Sequence, residues 1–305
     1  MLHITDAMVD ELIDVQSAQQ AVRDAFARFG SGEAAMQARE RTDAGGVKLS
    51  TLGAVIPGQG VAGAKVYTTI QGRFDFVILL FSAEDGRPLA TLEANAITRL
   101  RTAATTLVAA GLLARRDARC MVLYGAGVQG QAHARQFAQA YTLEWISVSS
   151  QHADDALLRE MERACGVPVL RCPARAPIEQ ADIVVTASRA KTPLFEGARL
   201  QPGTFVAAIG SSLPHTRELD DGALAKADLI AVEWLAQTRR EAGDLVMADA
   251  KMDLESRCVE LGDLVIGAHP GRQDAGQIAL FKSVGVGLED IALAGLAYRR
   301  LKAQC

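Results

Sequence analysis

The stretch at residues 121–130, MVLYGAGVQG, constrains this chain more than any other. A run of apolar residues stops at Gly125, and Gly125, Gly127 and Gly130 then form G-x-G-x-x-G at the expected start of a helix. Each glycine has a physical task in a dinucleotide-binding turn. Gly125 permits the tight turn, Gly127 lets the backbone approach a pyrophosphate, and Gly130 allows close packing of a helix whose N-terminus faces the phosphates. Val128 and Gln129 complete the candidate cradle. Structural glycine turns share this spacing, so the context decides. Apolar runs at 118–123, 145–149, 167–171, 182–186, 204–209 and 227–231, with a helical stretch at 153–165, give a β/α alternation. That alternation predicts a doubly wound parallel sheet.

The region before it has a different character. Residues 5–30 carry apolar positions at helical spacing and predict two short helices, with Thr5 or Asp6 and then Ser17 as N-caps and Gly30 as a stop. Strand-like runs follow at 61–70, 76–81 and 88–93, the last two joined through Asp85-Gly86, a hairpin pair. Residues 95–113 are rich in Ala, Leu and Thr without proline and predict one long, buried helix. A helical period returns at 288–301 and is expected to pack back on the first region. The predicted domains are 1–115 plus 286–305, and 116–285.

Composition removes several classes of partner. With 32 Lys+Arg against 36 Asp+Glu, the formal charge is −4, without the basic excess that nucleic-acid backbones require. No 18-residue apolar run is present, and the acidic N-terminus lacks a signal-peptide pattern, so a cytoplasmic protein without membrane association is expected. Five cysteines without a C-x-x-C pair, Cys120, Cys165, Cys172, Cys258 and Cys305, read as free thiols of a reducing compartment. Five scattered histidines imply no metal.

A dinucleotide site that prefers NAD carries an acid at the end of the second strand, roughly 20 residues after the glycines. Here Ser149, Ser150, Gln151 and His152 occupy that turn. Small hydroxyls suit a 2′-phosphate better than a carboxylate would, which favours NADP over NAD, although no arginine is present to clamp it. Thr186, Ala187 and Ser188 end a strand, where open α/β sheets bind ligands. Lys65 is anomalous within VAGAKVYTT, because an ammonium among apolar neighbours costs free energy unless it is paired or functional. A solvated strand face is the competing explanation. Arg101 reads either as a solvent-facing residue at a helix end or as a carboxylate clamp. Glu218 and Asp220 read either as catalytic carboxylates or as charges at a helix N-terminus after Pro214, the second being expected, and His215 either as a proton donor or as an ordinary loop residue, again the second.

Seven segments in order carry a resemblance. They are GAKVYTT (63–69), RLRTAATTLVAA (99–110), YGAGVQGQAHARQF (124–137), ADIVVTAS (181–188), IGSSLPHTRELD (209–220), EAGDL (241–245) and LFKSVGVGLEDIA (280–292). Between about residues 41 and 294 the chain resembles the ornithine cyclodeaminase/mu-crystallin family. The resemblance implies a Rossmann-type domain inserted into a mixed α/β domain for substrate binding and dimerisation. It also implies homodimers, a nicotinamide cofactor and chemistry on amino and imino acids. It assigns Arg41, Lys65 and Arg101 to the substrate carboxylate, Lys65 also to proton transfer, and Ser283, Val284 and Gly285 to cofactor contact.

One departure from the family pattern separates the activities the resemblance allows. Ornithine cyclodeaminases carry an aspartate two residues before the proline of GSSLPHTREL, and this chain has Ser212 there. A serine hydroxyl is no general base near neutral pH without an activating partner. The expectation is therefore an NAD(P)H-dependent reductase of a small cyclic imino acid or 2-imino acid. Ornithine cyclodeaminase, alanine dehydrogenase and a non-catalytic NADP(H)-binding crystallin-like protein remain as alternatives.

Overall fold

In a computed structural model of the protein, which describes residues 1–172 and 176–304, the chain divides into two compact units, Met1–Thr105 with Gly285–Cys305, and Thr106–Val284. Cys305 lies outside the described residues; the other four cysteines are free thiols.

The first unit opens with β1 (Leu2–Ile4), α1 (Asp6–Leu12) and α2 (Val15–Gly30). Thr5 caps α1 by accepting from Met8 N. Asp14 caps α2, not Ser17, whose N–H is the group being capped; a carboxylate at an N-cap also gains from the helix dipole. Next come β2 (Ala35–Ala44), β3 (Val47–Ile56), β4 (Val61–Ile70), β5 (Arg73–Ser82), β6 (Pro88–Glu93) and α3 (Asn95–Leu113). These strands form a six-stranded sheet in the order β1-β6-β5-β4-β3-β2, antiparallel except for β1 beside β6.

The sheet has two unlike faces. Across its middle, Leu52, Lys65, Ile78 and Leu92 stand in one register on the buried face. On the opposite face, Val55, Ala62 and Phe81 are in register, as are Ala64 with Leu79 and Val66 with Val77, and Val55, Val77, Leu79 and Phe81 are exposed. The register slips between Gln37 and Glu40, so that Ala38 and Arg39 together oppose Leu52. That bulge turns Arg39 into the buried side.

The second unit contains β7 (Cys120–Tyr124), α4 (Val128–Ala140), β8 (Trp145–Ser149), α5 (Asp155–Cys165), β9 (Val169–Arg171), β10 (Ile183–Thr186) and β11 (Phe205–Ala208). It continues with α6 (Asp221–Lys226), β12 (Leu229–Val232), α7 (Leu235–Glu241), α8 (Gly243–Val246), β13 (Cys258–Glu260), α9 (Leu261–Ile266) and β14 (Ala279–Lys282). Its eight strands are all parallel, in the order β13-β12-β14-β11-β10-β7-β8-β9. The central strands β10, β11, β12 and β14 are buried throughout, as expected where helices cover both faces. The strand order reverses between β7 and β10, which makes their carboxyl ends the topological switch point of a Rossmann-type sheet.

The chain then returns to the first unit as α10 (Gly287–Gln304). Its first half is buried on every side, and Gly287 lies so close to β3 that an added Cβ would stand 2.4 Å from Gly53 O. The division between the compact units falls inside α3, at Thr105/Thr106, and the second half of that helix bonds within the second unit. There Thr106 Oγ1 meets His133 Nε2 at 2.9 Å, and Arg272 Nε donates to Leu113 O. No helix of the described residues is long and apolar enough to cross a membrane.

Candidate active site

Within the first unit, the buried face gathers charge where sequence pattern alone would place only core. Lys65 is 2% exposed, and its Nζ donates to Asp290 Oδ1 at 3.0 Å and to Thr98 Oγ1 at 2.7 Å. The same ammonium stands 4.4 Å over the ring of Phe76. Arg101, one turn beyond Thr98 on α3, pairs through Nη1 with Glu289 at 2.5 Å and through Nε with Asp290 at 3.3 Å. Arg39 donates from Nη2 to Gly285 O at 2.7 Å. The five side chains amount to three cations against two carboxylates.

Burial pushes the Lys65 ammonium down from its ordinary value to about 8, although Asp290 opposes the shift; the Arg101 and Arg39 charges add to it. Lys65 is therefore able to give and take a proton near neutral pH. Gly285, in a left-handed conformation (φ +72°), lies against the Arg101 guanidinium, and an added Cβ would stand 2.6 Å from Nη1. Ser50 Oγ and Asp290 Oδ2 are buried atoms without a hydrogen-bond partner. Arg41 shares the face of Lys65 one row along, in register with Ser50, Tyr67 and Phe76, and is half-buried.

The second unit presents the glycine turn at its switch point. Gly125 takes φ +99°, and a Cβ there would meet Ala187 O at 2.4 Å; a Cβ on Gly130 would stand 1.9 Å from Gly125 O. Those two glycines are demanded by the protein's own packing. Gly127, the N-cap of α4, is different: φ is −73° and nothing lies within 4 Å of its missing Cβ. Nothing in the protein excludes a side chain there, whereas a pyrophosphate lying on the α4 N-terminus would. The residues present thus fit a dinucleotide. Val128 is 63% exposed at the start of α4, Gln129 follows it, and Ser149 O accepts from Gly125 N at 2.9 Å. Ser150 and Gln151 form the turn after β8, where Ser150 Oγ accepts from His152 N.

Glu218 is neither solvated nor at a helix terminus. Fully buried, it accepts from Thr186 Oγ1 (2.8 Å), Ser188 N (2.8 Å), Ser188 Oγ (2.6 Å) and Gly210 N (2.7 Å). It thereby fixes the ends of β10 and β11. Asp220 does cap a helix, accepting from Ala223 N at the start of α6. Behind Glu218, Asp244 accepts from the N–H groups of Glu218 and Leu219 and pairs with Lys282 Nζ at 2.8 Å. Lys282 also donates to Ser211 O at 2.7 Å, beside Ser212. Glu233 accepts from Ser283 Oγ (2.5 Å) and Val284 N (2.8 Å). His215 is exposed.

The structure thus brings Lys65 and Arg101 together in the first unit, and Gly125, Gly130, Ala187 and Ser188 together in the second. Sequence reasoning missed Arg39, Glu289, Asp290, Glu218, Asp244 and Glu233. A signal existed for two of them: Glu289 and Asp290 are consecutive acids at the start of a helix whose first half is otherwise apolar.

A Rossmann-type sheet with a glycine turn, in a chain that also carries a mixed α/β unit with a buried cluster of cations, defines a dinucleotide-fold class. The sequence model of the ornithine cyclodeaminase/mu-crystallin family matches residues 1–304, and the chain belongs to that family. It is 32% identical over 271 residues to the Delta(1)-pyrroline-2-carboxylate reductase of Bacillus cereus, covering 87% of this chain and 80% of that protein. Among solved structures it resembles the "probable ornithine cyclodeaminase" of Bordetella pertussis Tohama I, at 58% identity and TM-score 0.98, covering 100% of this chain and 98% of that one. It also resembles Thermococcus litoralis Delta(1)-pyrroline-2-carboxylate reductase, solved with NADH and L-proline, at 26% identity and TM-score 0.92, with the same coverage.

Proposed function

We propose that the protein is a nicotinamide-dependent reductase of small cyclic imino acids or 2-imino acids, of the pyrroline-2-carboxylate and ketimine kind. The observation that carries this reading is the buried cluster of Arg39, Lys65 and Arg101 against only Glu289 and Asp290, in a chain that also holds a dinucleotide turn. A net positive, largely buried site suits a carboxylate ligand, because desolvated guanidinium–carboxylate pairs are strong and directional. Arg39, Arg101 and Lys65, with Arg41 alongside, hold the substrate carboxylate. Bound nicotinamide supplies the hydride that reduces the imine carbon. Lys65 Nζ, directly or through a water, supplies the proton that the imine nitrogen takes up, so that C=N becomes CH–NH. Asp290 steadies the ammonium while Thr98 fixes its direction.

Gly125, Gly127, Val128, Gln129 and Gly130 cradle the pyrophosphate, and Thr186, Ala187, Ser188, Ser283, Val284 and Gly285 flank the rest of the cofactor. Ser149, Ser150 and Gln151 in place of an acid favour NADP over NAD. The unit expected over 1–115 with 286–305, which the structure divides from the other at Thr105/Thr106 and Val284/Gly285, serves substrate binding and dimerisation, and the unit expected over 116–285 serves the cofactor. The exposed apolar face of Val55, Val77, Leu79 and Phe81 supports a homodimer formed through that sheet. Four free thiols support a cytoplasmic location.

A second reading, ornithine cyclodeaminase, is favoured by the likeness to the Bordetella pertussis structure. Ser212 argues against it, because deamination and ring closure need a carboxylate base that this position no longer provides. The test is spectrophotometric. Purified protein is given NADPH or NADH with pyrroline-2-carboxylate, piperideine-2-carboxylate or pyruvate plus ammonia, and separately ornithine with NAD. Oxidation of the reduced cofactor by a cyclic imine is the expected result, faster with NADPH. Proline from ornithine without net change in the cofactor would establish the cyclodeaminase instead.

A further inference from the structure

The face that carries Lys65 does not end at the cations. Two residues along each strand, about 6.8 Å further on, Tyr67 and Phe76 stand opposite one another in register, and Phe74 follows opposite Thr69. The three rings touch: Tyr67 to Phe76 at 5.0 Å between centroids, Tyr67 to Phe74 at 6.2 Å, and Phe74 stacked on Phe76 at 5.8 Å with 4° between planes. Phe76 is also the ring beneath the Lys65 ammonium. Unlike Leu52 and Ile78 in the neighbouring row, these aromatics are open, with Tyr67 and Phe76 half-buried and Phe74 43% exposed.

We propose that the substrate, anchored by its carboxylate at Arg39, Lys65 and Arg101, lays an uncharged apolar side chain or ring against Tyr67, Phe74 and Phe76. These aromatics then select cyclic, aliphatic and aromatic substrates over cationic ones. This rests on the reductase reading above and narrows its substrate class.

Electrostatics point the same way. A side chain ending in an ammonium would meet Lys65 and Arg41 at this face, where the carboxylates present, Glu289, Asp290 and, in the row of Phe74, Asp43, are already paired with cations. Glu289 and Asp290 are engaged by Arg101 and Lys65. Among the described residues of the strands, Asp75 and Glu40 stand in register with Thr68 and Thr51 on the opposite face, and Asp43 lies a row further on, paired with Lys48. Apolar rings, by contrast, gain both burial and offset or tilted stacking on Tyr67 and Phe76.

Equilibrium binding of product amino acids tests this without requiring turnover. Calorimetric titration of the wild-type protein with L-proline, L-pipecolate and L-phenylalanine is expected to give saturable binding, with L-ornithine at least tenfold weaker. Tyr67→Ala weakens L-pipecolate and L-phenylalanine about tenfold, the scale of one aromatic contact, and leaves L-alanine unchanged, while Tyr67→Phe binds as wild type. Phe74→Ala, at an exposed position, gives a smaller loss in the same order and guards against a folding defect in the first variant. Ornithine binding as tightly as pipecolate would overturn the proposal, as would equal losses for alanine and pipecolate in Tyr67→Ala, or no binding by any amino acid. Binding in the expected order without imine reduction would leave the specificity assignment standing and remove the reductase reading.

Discussion

The two units each bury a group of charged side chains, and the groups differ in how completely they are satisfied. In the second unit three buried carboxylates are met by donors of the fold. Glu218 receives four donors, Glu233 receives Ser283 and Val284, and Asp244 receives two backbone N–H groups and Lys282. In the first unit Arg39, Lys65 and Arg101 outnumber Glu289 and Asp290, and Ser50 Oγ and Asp290 Oδ2 have no hydrogen-bond partner. A closed group specifies backbone positions; a group with surplus charge has capacity left for a ligand. The same contrast runs through the glycines, since a Cβ on Gly125 or Gly130 would collide with the fold and one on Gly127 would meet nothing within 4 Å.

The glycine contrast gives the largest expected effect. Gly127→Val abolishes cofactor binding in a protein that unfolds at the wild-type temperature, because the side chain enters space that only a ligand uses. Gly130→Val, forced against Gly125 O, yields little folded protein. Fluorescence titration with NADPH and thermal unfolding separate the two, and loss of fold in Gly127→Val would erase the distinction.

Next in size is the cation cluster. Arg101→Ala lowers kcat/KM for the imine by two or more orders of magnitude, the scale of a lost charge-assisted clamp at about 2–4 kcal/mol. It leaves the cofactor Kd unchanged. Steady-state kinetics that show indifference to this substitution would move the site elsewhere.

A pH profile then sharpens the role of Lys65. Its lowered value, about 8, means the ammonium is present below that pH and is lost above it. Reductive kcat/KM therefore falls as pH rises through about 8, and the oxidative direction gains over the same range. In Lys65→Arg, which keeps the charge but does not release its proton, this inflection disappears.

The smallest effect lies in the second unit. His133 is buried, and burial pushes it down to about 4; its Nδ1–H donates to Gln129 O, leaving Nε2 to accept from Thr106 Oγ1. Because the folded state holds this imidazole neutral while the unfolded chain protonates near 6.5, the stability it contributes is complete above about pH 6.5. That stability is lost as pH falls to about 4, on the order of 3 kcal/mol in all. Urea unfolding across that window shows the loss, and His133→Gln reduces it.

How much of this was legible in the sequence follows the same division. The strands β4, β6 and β8 and the helix α3 agree with their expected bounds, because apolar runs bounded by Gly, Pro or hairpin residues are local signals. The charged strand β2, AMQARERTDA, was not legible, since an edge strand has only one partner and tolerates polar residues, and neither was β3, which runs between β2 and β4. Nor were β13 and β14, which are short and separated in sequence from the strands they pair with. Lys65 stood out because an ammonium inside an apolar strand violates a local rule. Glu218 did not, since the donors that bury it arrive from β10 and β11, and no local pattern distinguishes it from the charged turn it was read as. Arg39 was hidden by a bulge, a register feature that a single sequence does not reveal.

The central claim, that the surplus-charge group holds substrate while the closed group only shapes the fold, is tested most directly by one paired binding measurement. L-proline and NADPH affinities are determined by calorimetry for Arg39→Met and Glu218→Gln beside the wild type. Arg39→Met should lose L-proline and keep NADPH. Glu218→Gln, with an amide facing donors that need an acceptor, should unfold more readily and weaken only NADPH. Unchanged L-proline affinity in Arg39→Met, or its loss in Glu218→Gln alone, would contradict the account.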